Sequence, residues 1–120
     1  MTTSPDAPVA GTSLLAAAAT ASLEDWGPLA EATGEPMHTR GVTLWSDGEA
    51  ETGVWECTAG PSYWVQDQHE FVHILSGTLT VTPDGGAPLS LGPGDSAVFP
   101  RGWRGTWDLH ETVRKVYAIF

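Results

Sequence analysis

The sequence predicts an all-β domain, a sandwich or a closed barrel of short strands. Three observations predict it. Apolar runs of four to eight residues follow one another closely from Gly41 onward. Clusters of Gly, Pro, Asp and Ser separate those runs. After residue 25, no stretch carries the 3.6-residue period of an amphipathic helix.

The runs can be taken in order. Gly41–Trp45 ends at Ser46-Asp47-Gly48, and Gly53–Thr58 ends at Ala59-Gly60-Pro61. Glu70–Leu75 meets a tight reversal at Ser76-Gly77. Thr78–Thr82 ends at Pro83-Asp84-Gly85-Gly86, whose glycines supply the positive φ angles of a hairpin. Pro88–Leu91 leads into Gly92-Pro93-Gly94-Asp95. Ser96–Phe99, Gly105–Leu109 and Val113–Phe120 complete the set.

The N-terminal third reads differently. Residues 1–12 are Thr, Ser, Pro, Ala and Gly with few apolar side chains, the composition of a flexible tail. Residues 13–25 have two readings. One is a short helix, with Ser13 as N-cap, alanines as helix formers and Gly27-Pro28 as the stop. The other is an extended arm packed on the barrel or on a partner chain. Residues 28–40 read as a connection with turn signals at Gly34 and Pro36. The expected organisation is therefore a tail over 1–12, an arm or short helix over 13–40, and a barrel over 41–120.

A chain of 120 residues suits one domain. With 41% hydrophobic and 17% charged residues it is globular in composition. The net charge of -10 repels phosphate backbones and anionic lipid surfaces, so nucleic acid and membrane are not expected partners. Its plainer consequence is solubility. The single Cys57 cannot form an internal disulfide. Leu14–Ala21 is apolar, but no Lys or Arg precedes it and Asp6 is acidic, so the expected location is cytoplasmic.

Two spaced signatures carry more information. One is Glu70-Phe-Val-His-Ile-Leu-Ser-Gly77, an acid, six residues and a glycine. The other is Gly94-Asp-Ser-Ala-Val-Phe-Pro100-Arg-Gly102, a glycine, five residues and Pro-x-Gly. Their order and separation resemble the two motifs of the cupin superfamily. Gly53-Val-Trp-Glu-Cys57, His69–His73, Pro100–Trp103, Gly105-Thr-Trp107 and Arg114–Tyr117 resemble, more narrowly, its small single-domain branch. That branch is related to ethanolamine-utilisation cupins and to ureidoglycine aminohydrolase barrels. The similarity covers residues 35–120 or so. It implies a double-stranded β-helix, that is, a jelly-roll barrel, with a small-molecule ligand in its lumen. It also implies a homodimer.

Metal-binding cupins place two histidines before the acid of the first motif and one after the second. The matching positions here hold Trp64, Gln66 and Gly105, so Glu70 alone remains of the four usual ligands. One carboxylate does not hold Zn²⁺ or Fe²⁺, which need three or four protein ligands. No cofactor is expected, unless histidines from neighbouring strands or the tail complete a Zn, Mn, Fe or Ni site.

Period-2 alternation places positions 64, 66, 70, 72 and 74 on one inward face. Glu70 is then a lumen carboxylate, acting as general base or as anchor for a ligand amine. Its bland counterpart is a structural acid paired with Lys115 or an arginine. Trp64, Trp103 and Trp107 are either an aromatic wall for a flat or cationic ligand, or bulk that fills a small barrel. Tyr63 and Gln66 would add polar contacts at the rim. His69 and His73 fall on the opposite face with Phe71 and Leu75, a surface for a dimer. His38 and His110 are expected at the surface. Arg101, Arg104, Arg114 and Lys115 gather in the last twenty residues, where they bind a ligand carboxylate or pair with the excess acids. Cys57 reads as a small buried hydrophobe.

Three functions follow from these readings. The chain is a small-molecule-binding cupin with metal-free acid–base chemistry at Glu70, or a metal-dependent hydrolase or isomerase acting on a nitrogenous or carboxylated metabolite, or a non-catalytic dimeric accessory module. The residues leave open whether it is an enzyme.

Overall fold

The computed structural model describes residues 11–120. Residues 1–10, most of the expected tail, lie outside the described residues. Ten strands run through the described part: β1 (Glu24–Pro28), β2 (His38–Asp47), β3 (Ala50–Cys57), β4 (Gly60–Val65), β5 (Glu70–Ser76), β6 (Leu79–Pro83), β7 (Leu89–Leu91), β8 (Ser96–Phe99), β9 (Arg104–Leu109) and β10 (Val113–Ile119).

Every pairing is antiparallel. One sheet has six strands in the order β1-β2-β3-β10-β5-β8, and the other has four in the order β4-β9-β6-β7. The two face each other as a jelly-roll barrel, the all-β fold that the sequence predicts. No helix occurs among the described residues, and so none that is long and apolar enough to cross a membrane.

Burial follows the two-residue period closely. On β5, Glu70, Val72 and Ile74 are buried while Phe71, His73 and Leu75 are half-buried. On β9, Gly105, Trp107 and Leu109 are buried while Arg104, Thr106 and Asp108 are exposed. The inward residues form one core, centred on Val72, Ile74, Leu79, Val81, Phe99, Trp107 and Leu109.

The two motifs act as brackets. Gly77 turns between β5 and β6 at φ 83°, a left-handed angle that favours glycine. A Cβ there would also fall 2.2 Å from the Thr112 carbonyl oxygen. Gly94 donates its N–H to the Ile74 carbonyl at 2.8 Å, and Ile74 N–H bonds the Asp95 carbonyl at 2.9 Å. The second motif is thus stitched to the middle of the first.

The N-terminal segment corrects one expectation. The helix considered over 13–25 does not form. A single turn closes on the Ala17 carbonyl, which accepts from Thr20 and Ala21 N–H, and Ala17 itself has φ 51°. The chain then runs as an extended arm into β1. The Arg114 guanidinium fixes this arm on the outer face, donating to the Ala18 and Ala21 carbonyls at 3.0 Å each and to Glu56 at 2.9 Å. Ordered sheet also starts earlier than Gly41, with β1 at Glu24 and β2 at His38. Nor is Gly60-Pro61 only a turn: it opens β4.

Candidate functional site

The concave face of the six-stranded sheet bears a cavity of about 410 Å³, a size usual for small-molecule sites. Alternate residues of three strands floor it: Glu51 and Trp55 on β3, Glu70 on β5, and Lys115, Tyr117 and Ile119 on β10. Trp64 of β4 closes one side. Trp26 of β1 and the segment Pro28–Glu31 close another. Trp26 can lie there because residue 41 has no side chain: a Cβ on Gly41 would be 2.3 Å from the Trp26 ring.

At the base of the cavity, Lys115 Nζ donates to Glu70 Oε2 at 2.6 Å. The two side chains are only 5% and 8% exposed. Gln66 Nε2 donates to the other Glu70 oxygen at 3.3 Å. The ammonium also sits 4.4 Å from the ring centroids of both Trp55 and Trp107, a double cation–π contact. Beneath it, Trp64 packs on Trp107 with centroids 4.9 Å apart, and Phe99 packs on Trp107 at 4.8 Å. Trp64 Nε1 donates to Ser62 Oγ at 2.8 Å. The buried Trp107 Nε1 has no partner among the described residues.

Toward the opening, the Tyr117 hydroxyl donates to Glu51 Oε2 at 2.5 Å. Burial, followed by this bond and the Glu51 charge, pushes the Tyr117 hydroxyl well above the usual phenol range. It therefore remains a neutral donor. Cys57, two positions past Trp55 on β3, is pushed up to about 11 by burial, with Lys115 opposing.

The residues singled out by sequence are distributed as follows. Glu70 and Trp64 meet at the cavity wall, Gln66 stands behind Glu70, and Trp107 lies under Lys115. Trp103 sits on the inward side but packs edge-on against Phe99 at 5.0 Å and does not line the cavity. Tyr63 stands away from the cavity. It falls on the outward face of β4, where its hydroxyl donates to Asp84 across the surface. Of the clustered cations, Arg114 holds the arm and Lys115 holds Glu70. His69 accepts from the Arg101 N–H at 3.0 Å, His73 bonds Ser96 at 2.7 Å, His38 pairs with Asp25 and His110 bonds Thr80. Glu51, Trp55, Tyr117 and Trp26 were not singled out from the sequence. The first three follow from the same alternation once β3 and β10 are recognised as neighbours. Trp26 depends on how the arm docks.

The family's usual metal does not fit this donor set. An indole stands at Trp64. A side chain at position 105 would meet the Thr82 carbonyl oxygen at 2.2 Å and the Trp103 ring at 2.8 Å. The remaining carboxylate is held by the Lys115 ammonium. Among the described residues, no three His, Cys, Asp or Glu side chains converge.

Two antiparallel sheets, a Glu-to-Gly motif on β5 and a Gly-to-Pro-x-Gly motif around β8 define a cupin-domain protein. The chain belongs to the EutQ-like cupin domain family, which it matches over residues 44–117. Its fold is similar to that of a DUF861-family protein of unknown function from Pseudomonas syringae. That likeness has a TM-score of 0.78 at 22% identity and covers 85% of this chain. The chain spans only 46% of that protein's length. It is similar to the EutQ protein of Clostridium difficile, with a TM-score of 0.62 at 18% identity, over 70% of this chain and 68% of the other. A DUF861-family protein of Thermotoga maritima is 36% identical over 56% of this chain and 76% of its own, with a TM-score of 0.54. No curated protein sequence matches the chain.

Proposed function

We propose that this cupin domain binds a small polar metabolite in the cavity over Glu70 and Lys115, and that this pair serves as anchor and as proton-transfer couple. One observation carries the reading: a carboxylate and an ammonium, 2.6 Å apart, stand at the wall of a 410 Å³ cavity between tryptophans. A carboxylate beside a bound ligand can take a proton from it, and an ammonium can stabilise negative charge as it develops. Neither step needs a metal.

The test uses the double variant Glu70→Gln/Lys115→Met, which removes both charges without stranding either. Candidate metabolites are screened against the wild type by tryptophan fluorescence. Ligands found there should lose affinity on the double variant while its thermal transition stays cooperative. Unchanged affinity would remove the pair from the site.

A second observation favours a self-association role beside the first. Ala118, Phe71 and Val98 are directly opposed across β10, β5 and β8 on the outer face. Val98, on the edge strand β8, is 59% exposed. This apolar row supports a homodimer, and a monomer in sedimentation at micromolar concentration would overturn it.

A further inference from the structure

The charges around the cavity do not balance. Its lining contains three carboxylates, Glu31, Glu51 and Glu70, and one ammonium, Lys115. Glu70 and Lys115 neutralise one another in a buried pair. Glu51 and Glu31 are left without a cation in the lining. The Tyr117 hydroxyl engages Glu51 Oε2, and Glu51 Oε1 has no protein donor among the described residues.

The apolar walls have a matching character. Trp26, Trp55 and Trp64 come from three different strands, and Tyr117 adds a fourth aromatic ring. Aromatic faces carry negative potential and attract cations within about 6 Å of the centroid. This barrel already uses that preference once, since Lys115 stands over Trp55 and Trp107. A cleft lined by one sign of charge within low-dielectric walls also focuses the field on that class of ligand. The chain's net charge of -10 acts in the same direction. An anion would meet two uncompensated carboxylates. A neutral ligand would leave both without a counter-ion.

We infer that the ligand of this cavity is a small organic cation, an alkylammonium or guanidinium group, with Glu51 as its counter-ion and Trp26 as the wall supplied by the arm. The inference rests on the reading of the cavity as the binding site and adds the chemical class of its occupant. Tyr117 gives Glu51 a neutral hydrogen-bond donor, so it orients the carboxylate without cancelling its charge.

Three probes of one shape test the inference: tetramethylammonium, tert-butanol and trimethylacetate, titrated at constant ionic strength with tryptophan fluorescence as readout. Tetramethylammonium should bind, and the other two should not. Glu51→Gln should weaken it roughly tenfold or more, and Trp26→Ala should do so several-fold. Trp26 is already 39% exposed, so its loss leaves the barrel core intact. Asp47→Asn, which removes an equal charge from an exposed position outside the cavity, should leave the affinity unchanged. Binding that survives both Glu51→Gln and Trp26→Ala would overturn the inference. Binding of tert-butanol or trimethylacetate in place of the cation would overturn it while leaving the cavity a binding site. If none of the three binds, the cation class fails, and the metabolite screen on the Glu70/Lys115 double variant decides the cavity's role separately.

Discussion

Lys115 Nζ lies 2.6 Å from Glu70 Oε2, and both side chains are almost wholly buried. Lys115 is the only lysine in the chain. It stands beside the one acid that remains from the family's metal set, and its ammonium is flanked by two indole faces. The barrel therefore carries a cation of its own, covalently fixed, at the base of its lumen.

The first prediction concerns that pair. Removing either partner leaves an uncompensated buried charge, which typically costs about 3–5 kcal/mol. Glu70→Gln and Lys115→Met should each lower the unfolding free energy by that order. The double variant should be far less destabilised than the sum, because isosteric removal of a buried pair is often close to neutral. Chemical denaturation of the four proteins gives the coupling. Additive losses would show that the two groups do not stabilise one another.

Gly105 gives a second prediction. It occupies the place of the missing metal ligand on β9, and a Cβ there would strike backbone at 2.2 Å. Gly105→Ala should destabilise the domain by about 1–3 kcal/mol through overpacking. Gly105→His should be worse and should not restore metal binding. Thermal melts, and metal content after expression with added Zn or Mn, check both. A stable, metal-loaded Gly105→His variant would refute the steric argument.

Much of this arrangement was legible in the sequence, and the exceptions have physical causes. The alternation of Glu70, Val72 and Ile74 was readable because β5 lies inside a sheet with one face on the core. The Trp103, Gly105, Trp107 register was readable for the same reason on β9. Two strands were missed, β1 and β4, and both are edge strands holding a Gly-Pro pair, Gly27-Pro28 and Gly60-Pro61. A proline in a strand argues against a central position but not against an edge, where one side of the backbone needs no ladder partner. The alternation that turns Trp64 inward turns Tyr63 outward, which puts it on the surface beside Asp84 rather than at the rim. The cavity wall from Trp26 to Glu31 was hidden because arm docking depends on Arg114 and Gly41, residues distant in sequence.

Arg114 supports a third prediction. Its guanidinium is the clasp between β10 and the N-terminal arm, donating to two arm carbonyls and to Glu56. Arg114→Ala should free residues 18–23, while the barrel keeps its cooperative transition. Hydrogen exchange or limited proteolysis of the arm should rise about tenfold or more, because the bonds lost are charge-assisted ones worth about 1.5–3 kcal/mol. Trp26 stands in β1, which stays paired with β2, so tryptophan emission should change little. Unaltered protection of the arm would show that apolar contacts alone hold it.

The last prediction follows from Cys57. The thiol is 1% exposed, and burial raises it from its ordinary 9.0 to about 11, against the opposing Lys115 charge. A group whose folded value lies above its unfolded one binds a proton more tightly in the native state. Its contribution to stability is complete below pH 9 and is lost as the pH rises through about 11. The Tyr117 hydroxyl is shifted in the same direction by burial and by Glu51, so it adds to the loss on the alkaline side. Denaturant midpoints should therefore decline between pH 9 and 11, and Cys57→Ala should flatten the lower part of that decline. The same burial makes the thiol inert in the folded chain at neutral pH. A thiol reagent at pH 8 should label Cys57 only as fast as the domain unfolds, with the rate climbing in denaturant. Rapid labelling of the native protein would mean that the floor of the barrel opens to solvent beside Lys115.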